Sequence, residues 1–286
     1  MPRLLKNAIK AVAWRVNESG RGGVGAACGN TSAQLLRGRT GRILIRAYAR
    51  SLLHICLPPV CGCCRRLLSA GDQISLCGAC QDMVDFVDSP LCVCCGTGLS
   101  QGAGSEDRVC SMCLRHTRAF DRARSVVYYQ EPASTLLLRL KFQADTRTIA
   151  PIRRLLSPVC ERIRAQPYTW VIPVPLHPIR LRQRGLNQAL ILAQLMFGDS
   201  GRGRIVPTGL ERRVNNIPQT ELSGQKRRKN LVDAFSLAHG FAVSGKTVCV
   251  VDDVFTTGAT ASECARTLKR AGARRVEVWT FARTRL

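Results

Sequence analysis

Carboxylates are scarce in this chain. Asp and Glu together number 19 against 43 Lys and Arg over 286 residues, a formal net charge of +24. That imbalance implies attraction to polyanions: nucleic acid, a phosphorylated small molecule or an acidic membrane face. Long apolar runs are missing as well. No window approaches the roughly 18 consecutive apolar residues of a membrane-spanning helix, so no transmembrane segment is expected and a cytoplasmic location is. The N-terminal apolar runs are broken by Lys6, Lys10 and Arg15, which argues against a secretory signal. Aromatics amount to eight Phe, four Tyr and three Trp, too dispersed for a dedicated base-stacking platform. The four histidines form no constellation, and the chain has neither an H-E-x-x-H nor a G-x-S-x-G element. His177, in "PLHP", reads as a hydrogen-bonded histidine between prolines, with no carboxylate neighbour to tune it.

Cysteine, by contrast, is abundant. Of the 15 cysteines only Cys28, Cys160, Cys249 and Cys264 lie outside the stretch from Cys56 to Cys113, and those four are expected to be free thiols or small core residues. Within the stretch stand four C-x-x-C pairs: Cys61/Cys64, Cys77/Cys80, Cys92/Cys95 and Cys110/Cys113. Each pair supplies two thiolates from one tight knuckle, and two knuckles close a tetrahedral metal site. Four knuckles therefore predict two structural Zn2+ ions, with the pairing open. Twelve residues separate the first two knuckles and fourteen the last two, and "CGCC" at 61–64 is echoed by "CVCC" at 92–95, so a duplicated zinc ribbon is expected. A disulfide framework fits poorly in a chain without a secretion signal, and four thiolates leave no open position for catalysis. Cys63 and Cys94 are left over and either can replace a neighbour. Gly62, Gly78 and Gly96 are expected at positive φ in the knuckle turns. The block holds few large apolar residues, so metal is expected to supply much of its folding free energy, and it reads as a scaffold or docking module.

Three regions follow. Residues 1–54 are basic, with ten Lys and Arg and one acid, Glu18, in the first fifty. They read as a poorly ordered extension, although a transit peptide or an early start share this composition, and "RILIRAYARSLLHICLPP" fits one amphipathic helix. Residues 55–118 are the double ribbon. Residues 119–286 alternate strand and helix patterns: strands at 123–129, 169–175, 248–251 and 274–281, helices at 133–142, 187–197 (Asn187 as cap) and 261–271 before Gly272. This alternation predicts an α/β fold with a parallel sheet flanked by helices.

The stretch "VCVVDDVFTTGAT", Val248 to Thr260, concentrates the chemistry. A buried strand delivers two like charges, Asp252 and Asp253, to the carboxyl edge of the sheet, where open α/β sheets bind ligands. After them, hydroxyls, a glycine and the N–H groups of a helix start form a phosphate cradle that lacks the G-K-[ST] ending of a P-loop. Acids beside a phosphate cradle suit a ribose 5-phosphate.

"VVDDVFTTGAT" resembles the phosphoribosyl pyrophosphate (PRPP) motif of type I phosphoribosyltransferases. Together with "PVPLHPIRLRQRGLNQA" (173–189), "PQTELSGQKRRKNLVDAF" (218–235) and the cysteine block, it is similar to the ComF family of competence-associated, phosphoribosyltransferase-like proteins over roughly residues 55–285. The resemblance implies that Asp252 and Asp253 meet the ribose hydroxyls, directly or near Mg2+, while Thr256, Thr257, Gly258, Ala259 and Thr260 hold the 5-phosphate. It makes the stretch after strand 169–175 the pyrophosphate-binding loop, with Arg180, Arg182 and Arg184, and has Arg184 to Asn187 open the next helix; Lys226, Arg227, Arg228, Lys229 and Asn230 fall in a lid, with Arg228 and Asn230 foremost. Two functions follow as expectations. One is PRPP- and Mg2+-dependent phosphoribosyl transfer to a nitrogen acceptor. The alternative is a non-catalytic factor that handles single-stranded DNA in competence, partnered by a helicase and the uptake machinery.

Overall fold

The structure is a computed structural model that describes residues 59–68, 75–100, 106–198, 203–213 and 233–285. The chain divides into two compact units, Met1–Leu57 and Pro58–Leu286, and every element below belongs to the second. The expected N-terminal extension, its amphipathic helix and the basic lid around Arg228 fall outside the described residues.

The described residues between 59 and 115 contain two copies of one small motif. In the first, Cys61 N donates to Arg66 O and Leu68 N to Pro59 O. Their counterparts thirty-one positions on are Cys92 N to Thr97 O and Leu99 N to Pro90 O (92 − 61 = 31). A short helix follows each hairpin, α1 (Gly78–Asp82) capped by Cys77 and α2 (Ser111–Arg115) capped by Cys110. The positive φ expected at Gly62 and Gly78 is not there. Among these knuckle glycines only Gly96 has it, at 68°, and the matching position of the first copy is Arg65, at 66°. Gly62 is small for another reason: a Cβ there would stand 2.7 Å from Pro151 Cγ.

Five parallel strands form the sheet in the order β1-β7-β6-β2-β3: β1 (Arg122–Tyr128), β2 (Trp170–Pro173), β3 (Arg204–Ile205), β6 (Thr247–Phe255) and β7 (Arg275–Arg283). A second, two-stranded antiparallel sheet is formed by β4 (Leu210–Arg212) and β5 (Phe235–Leu237). Helices α3 (Ala133–Gln143), α4 (Ile149–Arg164), α5 (Pro178–Arg184), α6 (Gln188–Phe197) and α7 (Ala259–Arg270) complete the unit. With both faces covered, the central strands must be apolar throughout, and Val248, Cys249, Val250 and Val251 are all fully buried. Helix α4 carries Pro158 in its interior, which leaves the Arg154 carbonyl without its usual donor. Ser157 Oγ supplies the replacement at 2.7 Å. Cys160, Cys249 and Cys264 are buried core residues, as expected. Among the described residues no helix is long and apolar enough to cross a membrane.

The ribbons are packed into this sheet, not hung beside it. Cys61, Cys77 and Cys80 share a cluster with Leu136, Leu137 and Leu140 of α3, and Arg139 of that helix donates to Gly62 O at 2.8 Å. The second ribbon joins a different cluster, in which Cys92, Cys95 and Cys110 meet Phe120, Phe255 and Ala261.

Candidate functional site

The four knuckles pair consecutively. The sulfurs of Cys61, Cys64, Cys77 and Cys80 lie within 4.8 Å of one another, and so do those of Cys92, Cys95, Cys110 and Cys113. Cys64 and Cys77 are 3.7 Å apart, as are Cys95 and Cys110. Zinc–sulfur bonds of about 2.3 Å in a tetrahedron require sulfurs about 3.8 Å apart, so both groups fit Zn2+ as they stand. Backbone donors point at one sulfur in each: Cys77 N at Cys61 Sγ (3.4 Å) and Cys110 N at Cys92 Sγ (3.3 Å). Burial opposes the thiolate at Cys61 and Cys92, yet the surrounding N–H groups bring both down to about 6. Cys63 stands outside its foursome, buried and facing Glu131 Oε2 at 3.6 Å. Cys94 is likewise no member of the second group.

The second site lies at the carboxyl edge of the sheet. Chain direction splits between β2, which leads out to β3, and β6, which leads the other way to β7. Such a switch point opens a crevice. Pro173 registers with Val251, so the residues just beyond each border that crevice. Strand β6 runs further than its apolar run suggests, because pairing with β7 continues to Phe255↔Arg283. Asp252 and Asp253 therefore sit within the strand and not at its end.

Both aspartates are half-buried and lean on the following backbone. Asp253 N donates to Asp252 Oδ1 at 2.9 Å and Val254 N to Asp253 Oδ1 at 2.7 Å. The free oxygen of Asp253 meets Lys141 Nζ of α3 at 3.1 Å. Burial first, then the neighbouring carboxylate, push Asp252 up to about 7, against the pull of Lys141 and Arg212. Arg184 and Arg212 flank the pair. Burial, then repulsion from Arg180, lowers both guanidiniums. Arg184 lies 5.4 Å over the Phe142 ring and Arg212 5.6 Å over Phe235. Lys141, Arg184 and Arg212 are thus the cationic neighbours of the acid pair, an arrangement chemically suited to a ligand that carries both an anion and hydroxyls.

Immediately after β6 come Thr256 and Thr257, then Gly258 at φ 75° as the cap of α7, whose first turn begins with Ala259 and Thr260. A Cβ on Gly258 would lie 2.5 Å from Phe255 Cζ, so the turn admits no side chain. The first N–H groups of a helix have no partner within it; here Ala259 N donates to Thr257 Oγ1 at 3.4 Å.

The stretch after β2 departs from expectation. It is not a loop, since Pro178–Arg184 forms α5, capped by His177 Nδ1 accepting from Ile179 N at 3.3 Å. Arg184 thus ends a helix instead of opening one. Asn187 does cap α6, accepting from Ala189 N at 3.0 Å and donating to Val174 O at 3.2 Å. Its amide is engaged at both ends in joining β2 to α6. Lys141, Arg212 and Arg118, which donates to Thr257 O at 2.9 Å, are additions that no local motif signals.

Residues 52–114 match the family model described as a double zinc ribbon domain. Competence protein F of Haemophilus influenzae is 34% identical over 218 residues, 73% of this chain and 90% of that protein. The DNA utilization protein YhgH of Escherichia coli O157:H7 is 32% identical over 240 residues, 80% of this chain and 98% of its own length. Competence protein ComFC of Bacillus subtilis is 26% identical over 198 residues, 69% and 79% of the two chains. Among solved structures, a purine phosphoribosyltransferase from Pyrococcus horikoshii overlaps 46% of this chain and 82% of its own at a TM-score of 0.28 and 15% identity.

Proposed function

The chain belongs to the competence protein F (ComF) family, and from that premise we propose that it binds PRPP with Mg2+ in the crevice at the carboxyl edge of its sheet, in the service of DNA uptake or use. One observation carries this reading: β6 delivers two adjacent carboxylates directly into a glycine-capped helix start, with Lys141, Arg184 and Arg212 around them. A ribose 5-phosphate presents vicinal hydroxyls and a phosphate, and pyrophosphate adds an anion for the arginines.

In this assignment Asp252 and Asp253 take the ribose hydroxyls and the metal. Thr256, Thr257, Gly258, Ala259 and Thr260 take the 5-phosphate through hydroxyls and helix N–H groups. Arg184 faces the pyrophosphate, Asn187 holds the β2 exit in place, and Arg228 belongs to the lid. Mg2+, when bound, supplies charge neutralisation for the pyrophosphate as leaving group. If transfer to a nitrogen acceptor occurs, the chain's own work is positioning and charge complementarity to an oxocarbenium-like transition state.

A second reading, a non-catalytic factor for single-stranded DNA working with a helicase and the uptake machinery, is favoured by the names of the relatives and the +24 charge. Calorimetry separates the two. Wild type is expected to bind PRPP in the presence of Mg2+, and the double variant Asp252→Asn/Asp253→Asn is expected to lose that binding. Silence from wild type would reject the ribose-phosphate site and leave the DNA reading.

A further inference from the structure

The two ends of the second zinc ribbon reach the phosphate loop by separate routes. On one side, Arg283 is fully buried, donates to Cys95 O at 2.9 Å and lies 5.3 Å over the Phe255 ring. Phe255 is the residue that closes the space beneath Gly258, and Phe120 braces it edge-on at 6.0 Å. On the other side, Arg118, five residues after Cys113, faces that sulfur and donates Nη1 to Thr257 O at 2.9 Å. Its Nε is buried without a partner, so this side chain is held in place at a cost that the contact with Thr257 must help offset.

We propose that the second zinc ribbon is a positioning element of the phosphate loop, and that Arg118 is the residue through which it acts. In a trans peptide the C=O and the following N–H point in opposite directions. Holding Thr257 O against the ribbon therefore turns Gly258 N–H away from the ribbon. At φ 75°, Gly258 has few barriers of its own to hold that orientation, so the plane needs an external clamp. The guanidinium provides one, since it interacts with Cys113 and donates Nη1 to the loop, so that metal binding and loop geometry share a single rigid group. This makes the ribbon part of the ligand site without contributing a ligand contact. The inference rests on the ribose-phosphate reading for its ligand, but the mechanical coupling does not.

The test compares Arg118→Ala with Arg124→Ala. Arg124 also donates to the second ribbon, at Cys92 O (3.2 Å) and Val93 O (3.3 Å), but the described contacts do not link it to the loop. Hydrogen exchange across residues 256–261, zinc content and calorimetry with PRPP and Mg2+ are measured for each. Arg118→Ala is expected to exchange this segment about tenfold faster and to weaken PRPP by at least as much, with two zinc ions retained. Arg124→Ala is expected to match wild type in both. Arg118→Lys, which keeps the charge near the sulfur but loses the guanidinium, is expected to fall between, and it carries the comparison should Arg118→Ala shed a zinc. Exchange in Arg118→Ala equal to wild type overturns the coupling. Faster exchange with undiminished PRPP affinity overturns the positioning role. If wild type binds no PRPP, the ribose-phosphate reading fails and exchange alone decides the coupling.

Discussion

Asp252 shows how a residue can be costly to the fold and useful to the site. Its carboxyl is pushed up to about 7 by burial and by Asp253, from an ordinary value of 3.8, with Lys141 and Arg212 resisting. Between about pH 4 and 7 the folded chain then holds a proton that the unfolded chain has lost, so stability without ligand falls as pH rises through that window. Above it the cost is present in full. Asp252→Asn is expected to melt above wild type at pH 8, with the gap closing as pH approaches about 4. A divalent cation relieves the same repulsion, so Mg2+ with PRPP is expected to raise the wild-type melting temperature at pH 8 and the variant's much less. Thermal unfolding across pH checks both, and a gap that is constant with pH would contradict a raised carboxyl. The acid pair was readable because two adjacent aspartates after a valine run have few structural explanations. Lys141 and Arg212 were not, because they come from α3 and β4 and meet the pair only through tertiary packing.

Among the elements, the knuckles were the most legible, since metal geometry constrains their spacing directly, and even so their consecutive pairing needed the folded sulfurs. Helix α4 is obscured by Pro151 and Pro158, the second of which breaks a periodic reading while Ser157 repairs the hydrogen bond. The β4–β5 sheet has strands of three residues, too short to show a period. The consecutive pairing makes a sharp expectation. Wild type holds two zinc ions, and Cys64→Ser/Cys77→Ser or Cys95→Ser/Cys110→Ser each leaves one. Crossed pairing of knuckles would instead let either double variant strip both sites. The consequences differ by ribbon. The first braces α3 through Arg139 and, by way of α3, the Lys141–Asp253 contact, whereas the second braces the phosphate loop. Elemental analysis of the purified variants reads the stoichiometry, and hydrogen exchange assigns the loosened region: α3 for the first pair, residues 256–261 for the second.

For the whole molecule the dominant quantity is charge. Residues 1–57 hold ten basic side chains and one acidic, a net +9, which leaves 24 − 9 = +15 on residues 58–286. The larger share thus belongs to the unit that contains the ribbons and the sheet. Attraction to a nucleic-acid backbone is a property of that total, and it depends on salt because bound phosphates release their counterions. For a single-stranded oligonucleotide, log K is expected to fall linearly with log salt, with a slope of roughly −0.7 for each phosphate neutralised. Removing residues 1–57 is expected to make the slope shallower while binding persists, since most of the charge remains. Fluorescence anisotropy of a labelled oligonucleotide over a salt series measures both chains. A flat response in the full chain would reject backbone contact, and complete loss on removing residues 1–57 would place the DNA surface in that segment instead of in residues 58–286. Added PRPP with Mg2+ sharpens the comparison, because its phosphates compete for Arg184 and Arg212 if the oligonucleotide uses the crevice. Weaker oligonucleotide binding at saturating PRPP then indicates one shared site, and unchanged binding indicates two.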